Sequence, residues 1–488
     1  MTFDAEARSA FVKKKAIQGT FWSYLSYILG KLLSFVTTII LARILLPEEF
    51  GLVGYATVVI DYLDVINTLG LGTAVISRKD KIEEASNIAF YSSAILGALL
   101  FLIAWIAAPY AALYFNEPAV TPLLRAISTV LPLNALGAIP GAHIQKNLRF
   151  KIKIIPDFTS SLTKGLVSVL LAWAGFGVWS LIWGQIASAV TVTVLYWFLA
   201  KWRPTRQFDS QVSKEMLTFG GHIVAIGFIG VLLNNVDYLI VGRVLGAAAL
   251  GYYTLAYRMP ELVIRTINLG VDRVAHPILS TLQWDQDQLR SVYRNYLFYT
   301  SLVIIPAGIG LALLSAPIIR IFYSSEWEPS IPVMQWISLA VMVASMGHIP
   351  GVLYKAINRP DILNKLAVIK LPLTIAILWY GTRRGIVGVA LGHVVLSFIK
   401  VILDTVVAGR FVNFGLRDVL KTLSPALWAS FVMGVALLPI VLFSNLPDLP
   451  KLITSVTLGG GVYVGMLYLV DKKLVTKVSS VVRGAFQR

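Results

Sequence analysis

The chain has 488 residues, of which 57% are apolar and 14% charged, with a mean hydropathy of +0.75; soluble domains carry about 25% charge. Apolar stretches recur along its whole length and leave no polar block large enough to fold alone in water, which excludes a soluble globular enzyme. The balance of 42 Lys and Arg against 25 Asp and Glu, a formal +17, reads as basic loops on one side of a membrane rather than a nucleic-acid surface. With no cysteine there is no disulfide framework, thiolate nucleophile, thiolate zinc site or iron–sulfur cluster.

A spanning helix needs about 20 mostly apolar residues to cross about 30 Å of hydrocarbon. In chain order, fourteen such stretches are predicted, near 18–45, 50–76, 86–114, 119–142, 154–174, 178–200, 216–244, 250–280, 295–320, 331–354, 364–380, 386–408, 422–443 and 452–470. The first is too long for a signal peptide, carries Lys31 and is followed by no small-residue cleavage site, so it reads as an uncleaved anchor. No connection exceeds about twenty residues, which leaves no room for a soluble ATPase, nucleotide-binding or glycosyltransferase domain.

The positive-inside rule orients the chain. Twenty-eight Lys and Arg flank the spans on one side, among them Lys13 to Lys15, Arg78 to Lys81, Lys146 to Lys153, Lys201 to Lys214 and Lys472 to Arg488. Six lie on the other: Arg43, Arg243, Arg320, Arg383, Arg384 and Lys451. Both termini are therefore expected to be cytoplasmic. The pair Arg383–Arg384 breaks the pattern locally, between segments 11 and 12.

Residues 30–70 align without gaps onto 230–270, with identities that include Gly30/Gly230, Arg43/Arg243, Gly51/Gly251, Ala56/Ala256 and Gly70/Gly270. The acidic residues Asp61 and Glu261 also correspond. An offset of six spans keeps both copies in one orientation, so the repeat is parallel. The expected architecture is an all-α polytopic membrane protein of about 14 transmembrane helices: two parallel-repeat six-helix lobes around a central cavity, plus two extra C-terminal helices. The expected divisions are 1–200 for the N-terminal lobe, 201–215 for a cytoplasmic linker, 216–410 for the C-terminal lobe, and 411–488 for the added helices and basic tail. A duplicated bundle without a pathway is the plainer alternative.

Charge near the bilayer centre costs several kcal/mol or more, so a charged side chain within a span faces protein, a partner or water. The deeper basic residues Lys31, Arg125, Lys164, Arg258 and Arg265 are candidates for a cationic cavity. Such a cavity suits phosphate or pyrophosphate, which guanidinium groups bind bidentately. Asp61, Asp64, Asp237, Glu261 and Asp272 form the acidic set. Arg258, Glu261, Arg265, Asn268 and Asp272 follow spacings of 3, 4, 3 and 4, which on an α-helix is one face. This stripe is either functional or a buried ion network that fixes packing. Lys400 and Asp404, four apart, are expected to pair; Lys370 and Arg273 are expected to snorkel, and Asp157 to sit at an inner helix entrance. Pro260, Pro306 and Pro439 are expected kinks.

Catalytic signals are missing from the sequence. The histidines at 143, 222, 276, 348 and 393 have no metal-ligand spacing, and no P-loop occurs. No catalytic residue, metal or cofactor is expected. Gly70-Leu71-Gly72 and Gly308-Ile309-Gly310 lack a strand–turn–helix context and read as helix packing or kinks.

The run Phe219-Gly220, Asn234, Asp237, Gly242-Arg243, Leu245-Gly246, Leu250-Gly251, Tyr253, Ala256-Tyr257-Arg258 and Pro260, followed by Pro277 and Ser280, resembles the polysaccharide-transporter branch of the multidrug/oligosaccharidyl-lipid/polysaccharide flippase superfamily. Residues Ala42 to Leu52 resemble that family's first outer turn, and Asn358-Arg359-Pro360 its inner turn after segment 10. The resemblance is closest to Wzx-type exporters of the colanic-acid and teichuronic-acid kind. It implies a flippase that moves an undecaprenyl-pyrophosphate-linked oligosaccharide repeat unit across the bacterial inner membrane by alternating access, for exopolysaccharide, capsule or O-antigen-type synthesis. It further implies cavity cations on the pyrophosphate, a proton or sodium gradient as drive with Asp237, Glu261 and Asp61 as carriers, and membrane lipids, a polymerase and export machinery as partners. The alternatives are a cation-coupled multidrug or small-molecule antiporter of the same superfamily, a membrane-embedded polymerase, and a scaffold for the synthesis enzymes.

Overall fold

The computed structural model describes residues 27–68 and 70–470. No strand is present among them; the chain is helical almost throughout, as it must be where hydrocarbon offers the backbone no hydrogen-bond partner. By internal contacts it divides into one unit that ends at Gly251 and a second that begins at Tyr252.

The first unit opens with α1 (Tyr27–Ala42), α2 (Pro47–Thr68) and α3 (Leu71–Ser77). Next come α4 (Ile82–Phe115), α5 (Val120–Ile127), α6 (Val130–Lys146), α7 (Phe150–Trp173) and α8 (Val178–Ala200). It closes with most of α9 (Ser210–Pro260). In lipid, helices gain little from hiding apolar surface and associate through close packing of small residues. Accordingly Gly184 of α8 lies against Ser168 and the Lys164 carbonyl of α7, Gly137 of α6 against Thr193 of α8, and Gly165 of α7 against Thr37 of α1. The opposite faces are apolar and exposed: Ile95, Leu99, Leu102, Ile106 and Leu113 make one stripe along α4, the surface a lipid-facing helix presents.

At 51 residues, α9 would run about 77 Å if straight, more than two hydrocarbon widths. It is broken at Gly246, whose backbone leaves the helical region at φ 86°, ψ 178°, a conformation open to glycine. The break separates the predicted segments 7 and 8.

The second unit continues through a π-helical turn, Glu261–Arg265, into α10 (Thr266–Thr281). Then follow α11 (Gln286–Leu313), α12 (Ser315–Phe322), α13 (Ser330–Met346), α14 (Ile349–Ala356) and α15 (Asp361–Gly381). A 3-10 turn, Thr382–Arg384, leads into α16 (Gly385–Val412), then α17 (Leu416–Phe443) and α18 (Asp448–Val470). Its core joins Ile264, Leu289, Tyr293, Ile304, Leu353, Tyr354, Ala408 and Val412. A smaller cluster, Met433, Leu437, Tyr463 and Leu467, fastens α18 to α17, and the Tyr463 hydroxyl donates to the Leu302 carbonyl at 2.6 Å.

Eleven stretches among the described residues are long and apolar enough to span a membrane. Two of them, Gly227–Asn268 and Asp361–Val412, each contain a break, at Gly246 and at Thr382–Gly385. With α1 in addition, the order matches the fourteen predicted segments. Segment 9 differs: the helix begins at Gln286, not 295, because Asp285 caps it by accepting from the Gln288 amide at 3.0 Å. That amphipathic first part is too polar for an apolar scan to find. The contact boundary at Gly251–Tyr252 also differs from the expected lobe boundary at 200–216, since α9 from Ser210 to Gly251 packs with the first unit.

Candidate functional site

In the first unit, α1, α2 and α7 carry Lys31, Asp61, Asp64 and Lys164. Gly30 of α1 contacts Ser161 of α7, which brings the lysine-bearing turns of both helices together. The charges of Asp64 and Lys164 both act on Asp61, so these three form one electrostatic group. Asn67 positions Asp64: its amide donates to Asp64 Oδ1 at 3.4 Å and to the Leu131 carbonyl of α6 at 3.0 Å. Asp237 is 5% exposed, and its charge reaches Tyr62, as does that of Asp61; Tyr62 also contacts Phe228. Two of the expected cations are engaged elsewhere. Lys31 lies over the Tyr27 ring at 5.8 Å. The Arg125 guanidinium stacks on Trp105 at 4.0 Å and donates to its carbonyl at 3.2 Å.

In the second unit, Pro260 cannot donate the hydrogen bond an α-helix needs, and the chain passes into the π-helical turn Glu261–Arg265. Arg265 donates to Glu261 at 2.9 Å, with side chains 63% and 37% exposed. Arg258 is also exposed. Asn268, three residues on, is 6% exposed and donates to Ser345 of α13 at 3.0 Å. The expected single polar face from Arg258 to Asn268 is therefore not kept. A π turn takes up an extra residue, so the phase shifts and Asn268 turns inward. The side chain of Asp272 lies outside the described residues.

Asp404 forms a close ion pair with Lys370 of α15 at 2.5 Å, Lys370 being 15% and Asp404 12% exposed, and the charge of Lys400 on its own helix also acts on it. Lys370 therefore does not snorkel. Spacing along a single helix predicts the i, i+4 partner but is blind to a neighbouring helix. Asp157 accepts from the Tyr196 hydroxyl of α8 at 3.0 Å.

Three arrangements have no signal in the sequence. The connection 201–209 is docked onto the start of α4: Trp202, 6% exposed, donates to Glu83 at 3.1 Å and stacks on His143. Asn87 exchanges bonds with Thr205, accepting from its amide at 2.8 Å and donating to its hydroxyl at 2.7 Å. Beyond it, Lys81 pairs with Asp209 and Arg78 with Glu215. The second arrangement is Tyr55, whose hydroxyl donates to the Gly242 carbonyl at 2.9 Å. The third links Tyr253, Tyr257 and His393 of α16. Among the described residues no group of His, Asp and Glu is arranged to hold a metal ion.

The lipopolysaccharide biosynthesis protein WzxC of Escherichia coli K12 is 28% identical over 80% of this chain and 80% of its own. The succinoglycan biosynthesis transport protein ExoT of Rhizobium meliloti is 25% identical over 75% of this chain and 74% of its own. Among solved structures, the lipid II flippase MurJ in an inward closed conformation aligns with a TM-score of 0.74 over 94% of this chain and all of its own, at 17% identity. An inward-facing multidrug resistance transporter of the MATE family aligns with a TM-score of 0.62 over 78% of this chain and 94% of its own, at 18% identity. These two likenesses establish the fold. The family described as polysaccharide biosynthesis protein matches residues 40–332, more than half the chain, and the chain accordingly belongs to that family.

Proposed function

We propose that the chain is a flippase that carries an undecaprenyl-pyrophosphate-linked oligosaccharide repeat unit across a bacterial inner membrane by alternating access of its two repeats. The observation that carries this reading is the exposure of Arg258 and Arg265 inside the apolar stretch Gly227–Asn268. A guanidinium cannot rest in hydrocarbon without a cost of several kcal/mol. Glu261 offsets one of the two, which leaves net positive charge for an anionic ligand. Pyrophosphate fits because two guanidinium groups can hold its oxygens bidentately.

The group Lys164, Asp61 and Asp64 offers a second charged patch, and Asp61, Glu261 and Asp237 are the proposed carriers of a coupling proton or sodium ion. Asp272 completes the proposed acidic set; Lys31 and Arg125, which pack on Tyr27 and Trp105, are left out of the cationic one. In this reading both termini are cytoplasmic, by the excess of Lys and Arg in the loops on that side, and the polymerase and export machinery would act on the delivered unit. ExoT is named as a transport protein and MurJ as a lipid II flippase, which supports a lipid-linked glycan over a drug.

The test is leaflet transfer of an undecaprenyl-pyrophosphate oligosaccharide in proteoliposomes, with wild type, Arg258→Gln and Arg265→Gln at matched protein levels. Transfer that collapses in either variant supports the cationic site. Equal transfer in all three reduces the arginines to a structural network, and absence of wild-type transfer for any lipid-linked glycan favours the antiporter.

A further inference from the structure

α15 and α16 meet at the 3-10 turn Thr382–Arg384, which carries Arg383 and Arg384 on the side of the chain where cations are sparse. α15 has 21 residues and so runs about 32 Å, close to the hydrocarbon thickness of about 30 Å. The turn therefore stands at the membrane boundary opposite Asp361. Its shape is fixed by glycine: a Cβ on Gly381 would fall 2.7 Å from the Gly388 carbonyl oxygen, so the two helix backbones touch directly beneath it, and Gly385 closes it at φ 67°. Both arginines are exposed. Arg383 lies over the Tyr380 ring at 5.1 Å, and among the described residues neither arginine has an acidic partner.

The acids of this hairpin are remote from the turn: Asp361 begins α15, and Asp404 lies five turns into α16. Glu328, before α13, is held by Arg320. The face below the turn shows what kind of anion fits. Val368, Pro372, Ile375 and Trp379 are exposed at spacings of 4, 3 and 4, which is one face of α15. Trp379 is 54% and Tyr380 64% exposed, and such rings collect where hydrocarbon meets headgroups. From Trp379 to Val368 the stripe descends about 16 Å, the depth of one leaflet at half of about 30 Å. A water-soluble acidic partner would meet the guanidinium groups and leave this stripe bare. An amphiphile with an anionic head and acyl chains covers both.

We infer that this turn is a binding site for an anionic phospholipid. The phosphodiester takes the guanidinium groups of Arg383 and Arg384, and the acyl chains lie along Trp379, Ile375, Pro372 and Val368. A guanidinium gives a phosphate two parallel hydrogen bonds. The Tyr380 ring beneath Arg383 holds one of the two groups in place by cation–π attraction, so less freedom is lost when the lipid arrives. The site shares no residue with Arg258 and Arg265, and its stripe is one leaflet deep, which fits a resident phospholipid rather than the transported one. The lipid ties this end of the α15–α16 hairpin to the headgroup layer.

The chain has no cysteine, so Ile375→Cys offers a single attachment point for a fluorophore on the stripe, and Ile106→Cys, on the exposed face of α4, offers a reference. Each labelled full chain is placed in phosphatidylcholine vesicles with rising fractions of brominated phosphatidylglycerol or of brominated phosphatidylcholine, and quenching is read. At Ile375→Cys the anionic lipid should reach half-quenching at a mole fraction at least about fivefold lower than the neutral one, the worth of one arginine near an anionic headgroup. At Ile106→Cys the two lipids should quench alike. Arg383→Gln with Arg384→Gln should abolish the preference at Ile375→Cys, and Arg383→Lys with Arg384→Lys should keep part of it, since charge remains without the bidentate geometry. Equal quenching by the two lipids at Ile375→Cys overturns the site and leaves the arginines to water or an acidic protein. A preference that survives the double Gln variant also overturns it. Unbrominated undecaprenyl pyrophosphate that relieves the quenching at a lower mole fraction than unbrominated phosphatidylglycerol assigns the turn to the transported lipid and refutes a resident one.

Discussion

Gly51 and Gly251, 200 residues apart, occupy reciprocal places in one helix crossing. A Cβ on Gly51 would fall 1.8 Å from the Ala247 carbonyl oxygen, and a Cβ on Gly251 would fall 1.9 Å from that of Pro47. Since 47 and 51 correspond to 247 and 251 in the repeat, each copy of the motif supplies the glycine that the other copy's backbone requires. The crossing thus carries a local two-fold relation, and the two glycines are kept by contact with each other's helix rather than by their own conformations.

Alanine at either glycine should therefore be about equally harmful. Overpacking of a tight contact costs about 1–3 kcal/mol, and here the obstacle is backbone that cannot rotate away. Gly51→Ala and Gly251→Ala should each lower the melting temperature of the purified protein. Gly460→Ala in α18, which has open space at its Cβ, is the control that should leave it unchanged.

The Lys370–Asp404 pair should behave as a buried ion pair. Lys370→Met leaves a carboxylate in a site that is 12% exposed, a loss of about 3–5 kcal/mol by precedent. The double variant Lys370→Met with Asp404→Leu should recover most of it, since removal of both charges removes both desolvation costs. Denaturation of the single and double variants in detergent reads the coupling directly.

The docked connection should resist proteolysis until its anchors are removed. Asn87, fully buried, holds Thr205 with two bonds; Asn87→Ala should speed trypsin cleavage after Arg206 severalfold in inside-out vesicles. Asp209→Asn removes only an exposed ion pair and should have a smaller effect.

The same pair sets a pH window. Asp209 is held below the usual carboxylate range by its bonds from Lys81 and the Val212 and Gln211 amides, and Lys81 is raised by Asp209. A depressed acid contributes above its ordinary value of about 3.9 and loses that contribution as pH falls through its lowered one; a raised base contributes below about 10.4 and loses it above. Protection of Arg206 should be flat between pH 7 and 9, above the range in which the His143 ring stacked on Trp202 takes up a proton.

Asp61 and Lys164 should be coupled. Asp61→Asn and Lys164→Gln should each alter transfer, and the double variant should differ from the sum of the two, because groups within electrostatic reach are not independent. Additive effects would separate the two residues.

Fourteen segments, their order and the parallel repeat were legible in the amino-acid sequence because hydrocarbon thickness makes span length and apolarity a local criterion. Gly51 and Gly251 were visible there as identities, though not as contacts. What only the tertiary structure decided lies between helices or in the phase of one: Lys370 of a neighbouring helix bonded to Asp404, Asn268 turned to Ser345 by the π turn, the connection docked on α4, and His393 beside Tyr253. Each depends on which neighbour a packed helix presents, and spacing along one chain carries no record of that.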